Sequence, residues 1–79
     1  MSVYLIKTRA GKFYEVLQRA EEWFINFKGN KKKVTALGEN NQLEKGSRVY
    51  FELKDDKVMR TQPITDIYQK LWYSSEKRN

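Results

Sequence analysis

The sequence predicts an α+β fold: a small antiparallel-rich sheet with its helices packed mainly on one face. Three observations lead there. A β-branched, apolar run opens the chain, the apolar period lengthens from two residues to three and four after Lys12, and a clean alternation returns at Arg48 before a second helical spacing begins at Ile64. With 79 residues the chain can hold one core only. The predicted element order is β-α-β-β-β-α, in one domain over residues 1–73 with a polar, frayed tail over 74–79.

Ser2 to Thr8 places Val3 and Leu5 on one face and Tyr4 and Ile6 on the other, the pattern of a strand covered on both sides and therefore central in a sheet. Beyond it, Phe13, Val16, Leu17, Ala20, Trp23, Phe24 and Phe27 recur at three- and four-residue steps, with Lys12, Glu15, Gln18, Arg19, Glu22 and Asn26 opposite. This predicts an amphipathic helix of about four turns. Only Tyr14 and Ile25 fall outside its stripe, and Gly29-Asn30 suits a left-handed C-terminal cap with Lys28 and Lys31 against the helix dipole. A competing reading starts from Gly11, which costs about 1 kcal/mol relative to Ala inside a helix. In that reading Arg9-Ala10-Gly11-Lys12 turns a hairpin and Lys12 to Leu17 is a second strand.

Lys33 to Leu37 reads as a short strand, and Gly38 with Glu39-Asn40-Asn41-Gln42 as a loop. Arg48 to Lys54 sends Val49, Phe51 and Leu53 to one face and Arg48, Tyr50, Glu52 and Lys54 to the other, as in a sheet with one solvated face. Asp55-Asp56 then turns the chain into Lys57 to Thr61. Pro63, lacking an N–H, opens a second helix capped by Thr61 or Gln62, with Ile64, Ile67, Tyr68, Leu71 and Trp72 on one stripe and Asp66 in the first turn. So small a core leaves little margin, and homodimerisation through Trp72 and Tyr73 is the expected remedy.

Composition narrows the chemistry. There is no Cys, hence no disulfide, thiolate zinc site or cysteine nucleophile, and no His, the commonest general base and metal ligand. Gly11, Gly29, Gly38 and Gly46 are too dispersed for a phosphate-cradling loop, the serines have no histidine to activate them, and Asp55-Asp56 reads as a solvated turn rather than a metal site. A non-enzymatic protein without cofactor or metal is expected. No apolar run approaches the ~20 residues of a membrane span, and no basic segment precedes the short apolar stretch at Val3. A soluble cytoplasmic protein with no membrane partner is therefore expected.

What remains is charge. Sixteen Lys and Arg against ten Asp and Glu give +6, with eight basic and three acidic residues before Glu39 and eight and seven from there on. Lys28, Lys31, Lys32 and Lys33 cluster around Gly29-Asn30, where they would neutralise phosphates; alternatively they complement a helix C-terminus and protect an edge strand. Tyr50, outward beside Arg48 and Lys54, has the pattern of a sheet that stacks bases while cations hold the backbone, though a tyrosine there is also an ordinary strand former. The expectation is a small basic accessory or regulatory protein that binds nucleic acid through its lysine-rich turn, with Arg48 and Tyr50 as a second contact. The alternative is a small protein-binding inhibitor or adaptor, such as a virus or mobile-element product acting on a host protein, which would expose an apolar patch around Trp72, Tyr73 or Ile25.

Overall fold

Branched and aromatic side chains dominate the stretches between turns, a composition that favours extended backbone, and the chain folds almost wholly as sheet. The computed structural model describes residues 1–38 and 40–69. These form strands β1 (Ser2–Thr8), β2 (Phe13–Arg19), β3 (Glu22–Phe27), β4 (Asn30–Ala36), β5 (Tyr50–Glu52), β6 (Val58–Arg60) and β7 (Ile64–Gln69), with one 3-10 turn at Lys54–Asp56. All pair antiparallel in one sheet of order β6-β5-β4-β3-β2-β1-β7. The first six strands follow one another as a meander, and β7 returns to the far side of β1.

The sheet curls. Right-handed twist accumulates from strand to strand, and register shifts at Lys7/Thr8 and at Val34/Ala36 bend it further. Thr61 N donates to Val49 O at 3.0 Å, continuing the β5–β6 ladder, and the segment before β5 is bound to the start of β7, Ile64 N donating to Ser47 O at 2.9 Å and Gly46 N to Ile64 O at 2.8 Å. The run from Val58 to Gln69 therefore pairs first with β5 and then with β1. The product is a curled half-barrel.

Its inner face is the core. Ile6, Val16, Trp23, Ile25, Leu37, Val49, Phe51 and Ile64 are buried there in one cluster, each such side chain contributing about 1.5–3 kcal/mol of transfer free energy. Aromatic pairs reach across an intervening strand, Tyr4 of β1 to Trp23 of β3 with ring centres 5.7 Å apart and Phe27 of β3 to Phe51 of β5 at 5.1 Å.

The α+β prediction is overturned: both predicted helices are strands. Lys12 to Phe27 is the hairpin β2–β3, turned at Ala20-Glu21, and it follows the competing reading that begins with a turn at Arg9–Lys12, where Gly11 N donates to Thr8 O at 2.8 Å. The helical spacing was produced by two interleaved faces. Val16, Trp23 and Phe27 point inward, Phe13, Leu17 and Phe24 point outward, and Ala20 sits in the turn, so apolar residues from both faces add up to a three- and four-residue rhythm. Ile25, outside the supposed stripe, is fully buried.

Gly29 is likewise a turn residue rather than a helix cap. With φ of 51° at Lys28 and 81° at Gly29, this two-residue connection has the left-handed backbone that matches the twist of a hairpin, and β4 accordingly begins at Asn30 rather than at Lys33. The second predicted helix is replaced as far as Gln69 by β7, because Ile64, Ile67 and the backbone of this segment pair with β1. Leu71, Trp72, Tyr73 and the tail over 74–79, where the dimer contact was expected, lie outside the described residues. Among the described residues no helix is long and apolar enough to cross a membrane.

Candidate functional site

Strand geometry separates the clustered lysines. Successive side chains of a strand point to opposite faces, so Lys31 and Lys33, paired with Asn26 and Phe24, stand on the outer face, while Lys32, paired with Ile25, is half-buried on the inner one. Lys28 remains in the turn with its Nζ 5.3 Å from the centre of the Phe27 ring, a cation–π contact. Lys33 is also committed: its Nζ lies 2.8 Å from Glu22 Oε2 across the hairpin. The hydrogen bond from Lys33, then its charge, hold the Glu22 carboxyl below its ordinary range, with a smaller pull from Arg19. The four lysines thus do not share one face.

Arg48 and Tyr50 lie at the other end of β4. Tyr50 pairs with Ala36 on one side and with Arg60 on the other, which puts it five positions along β4 from Lys31, about 17 Å at the rise of a strand. Burial of Val49 and Phe51 on the inner face turns Arg48, Tyr50 and Glu52 outward. Their backbone is fixed. Buried Thr61 holds Val49 from both directions, its N donating to Val49 O and its Oγ1 accepting from Val49 N at 3.1 Å, and Thr35 Oγ1 donates to Tyr50 O at 3.2 Å.

The loop before β5 completes a wall beside Tyr50. Glu44 N donates to Ser47 Oγ at 3.3 Å, Ser47 N donates to Glu44 O at 3.2 Å, and the Ser47 hydroxyl donates to the same carbonyl, which closes the 44–47 turn on itself. Gly38 approaches this turn closely: with φ of 120°, a Cβ there would meet Ser47 Cβ at 3.0 Å. Only glycine suits both the backbone and the space. Between the two loops opens a concavity of about 430 Å³ whose lining includes Gly38, Asn40, Glu44, Lys45, Arg48 and Tyr50.

A larger depression of about 610 Å³ lies along Lys33, Val34, Thr35, Glu52 and Leu53. It has no aromatic ring, and its lysine is already paired with Glu22. The concavity beside Tyr50 is the better site, because it combines an aromatic side chain with two cations and a braced backbone. Lys45, Arg60 and Gly38 were not singled out from the sequence. Arg60 was within reach, since an antiparallel hairpin centred on Asp55-Asp56 brings residues near 60 opposite Tyr50; the close approach of Gly38 to Ser47 has no sequence signal. Asp55 and Asp56 adopt φ of 64° and 59° in their exposed turn, and among the described residues no group of acidic side chains converges to hold a metal.

A second surface lies outward on β1, β2 and β3. Val3, Leu5, Leu17 and Phe24 are buried or half-buried there without joining the core cluster, and Phe13 and Tyr68 nearby are 54% and 51% exposed. Lys7 Nζ stands 5.8 Å from the centre of the Phe13 ring. Ile25, one of the residues expected to mark an apolar patch, is in the core instead. No protein-family model, curated protein sequence or solved structure matches this chain.

Proposed function

We propose that the protein is a non-enzymatic nucleic-acid-binding factor whose principal contact is the outer face around Tyr50. The observation that carries this is Tyr50 itself, half-buried on a hydrogen-bonded strand, with Arg48 two residues before it, Arg60 paired across from it and Lys45 on the adjoining wall. A ring with cations on several sides offers a stacking surface and charge for the phosphates next to the stacked base. Lys31, near the far end of β4, and Lys28, in the turn before it, supply a second, weaker electrostatic contact, while Lys33 is held by Glu22. Lys32, half-buried on the inner face, contributes little.

The test is binding of labelled oligonucleotides over a range of salt concentrations. Each phosphate contact contributes close to one unit to the slope of log K against log salt, so Arg48→Ala and Lys45→Ala should each flatten it by about one unit, whereas Lys32→Ala leaves it unchanged. Absence of binding even at low salt would contradict the proposal. A second reading, a protein-binding inhibitor or adaptor, is favoured by the outward apolar surface that includes Phe13 and Tyr68. That reading requires the oligonucleotides not to bind.

A further inference from the structure

The geometry points to an unpaired nucleotide, not duplex, as the ligand of the concavity lined by Gly38, Asn40, Lys45, Arg48 and Tyr50, a deepening that rests on the nucleic-acid reading above. Duplex binding through phosphates uses a broad surface of one sign. The outer face does not offer one: Glu22 holds Lys33, Glu52 follows Tyr50 on the same side of β5, and Asp66 faces Lys7 across the β1–β7 pair. Positive charge is local instead. Among the described residues Lys45 and Arg48 line the concavity together with one acid, Glu44, and Arg60 stands opposite Tyr50.

Size and shape agree with one base and its phosphate. The concavity measures about 430 Å³, within the range of small-ligand sites, and it is bounded by an aromatic side chain on a braced strand and by a turn locked through Ser47. A base inside a duplex has both of its faces stacked and cannot present one to Tyr50; a base in a single strand can. Tyr50 takes the face of the base, Arg48 and Lys45 take the phosphate, and Asn40 and Glu44 meet its polar edge. Asn offers a donor and an acceptor, and a carboxylate accepts from an exocyclic amino group, so bases bearing that amino group are favoured over those without it.

Anisotropy of a labelled single-stranded decamer, compared with the same decamer annealed to its complement, tests this. The single strand should bind at least tenfold more tightly. Tyr50→Ala should weaken the single strand roughly 5- to 100-fold, as for loss of one stacked base, and Tyr50→Phe should keep most of the affinity, since it retains the ring. Thermal melts establish that both variants remain folded. Equal or tighter duplex binding, or an unchanged affinity in folded Tyr50→Ala, overturns the single-strand inference and leaves nucleic-acid binding standing. Failure of both strand forms to bind overturns both.

Discussion

Ala20 and Glu22 show how much of this hairpin is decided by individual residues. Ala20 turns β2 into β3 at φ of 55°, a left-handed backbone in which its Cβ is crowded by the neighbouring carbonyl at a cost of about 1–2 kcal/mol. Glycine removes that strain but is more flexible in the unfolded chain. Ala20→Gly should therefore raise stability by up to about 1 kcal/mol, read as an increase in Tm; a decrease would show that the turn is not left-handed. Beyond that turn, Lys33 on the neighbouring strand β4 holds Glu22 of β3 in an exposed ion pair. Because the folded-state pKa of Glu22 is depressed, the pair's contribution is present above the unfolded-state pKa and is lost as pH falls through the folded one. Both side chains are exposed, so salt screens this contribution and it is small. Lys33→Ala should return the Glu22 titration, followed by NMR, toward the ordinary glutamate range. An unchanged titration would place the cause elsewhere.

At the scale of elements, the hairpin β2–β3 and a helix make opposite demands on the same residues. A helix through Lys12 to Phe27 buries Phe24 and leaves Ile25 on its outer side, whereas the hairpin buries Ile25 completely and turns Phe24 outward. Ile25→Ala should cost about 2–5 kcal/mol in denaturant unfolding, in the manner of a large-to-small core substitution. A cost near zero would contradict the strand register. The expected strand Arg48 to Lys54 is realised only over Tyr50–Glu52, with Lys54 opening a 3-10 turn. The strands β1 and β5 were legible in sequence because their alternation is undisturbed, with Phe51 against Tyr50 and Glu52 and a first strand apolar on both sides that does lie between two neighbours. The stretch from Phe13 to Phe27 was not, because apolar residues occupy both faces of β2 and β3 and the turn between them changes the phase, which together imitate a helical period. Its β-branched and aromatic composition and Gly11 were the better signals. Pro63 misled for a different reason. It is compatible with the start of a strand as well as of a helix, and the choice is made by β1, a partner distant in sequence.

For the whole molecule, curling is what makes a site. Ties from Gly46 and Ser47 to Ile64 bring the loop before β5 against the start of β7, and the same loop meets Gly38 to form the wall beside Tyr50. Arg48 and Tyr50 could be chosen from sequence, since they alternate with core residues; the concavity they share with Lys45 and Gly38 could not, since it depends on contacts between distant segments. The net charge of +6 speeds the approach of any anionic chain at low salt, but it does not say where that chain is held. The hairpin lysines divide between the two faces by strand alternation alone, and Arg60 stands opposite Tyr50 through the β5–β6 pairing.

The most direct test is an amide NMR titration of the labelled protein with a single-stranded oligonucleotide. With a nucleotide held beside Tyr50, the largest shift changes fall on residues 44–50, on Gly38 and Asn40, and on Arg60, with smaller changes at Lys31 and none on the outward surface of β1 and β2. Changes concentrated instead around Leu5, Phe13, Leu17 and Tyr68, or none at a saturating concentration, would contradict that placement.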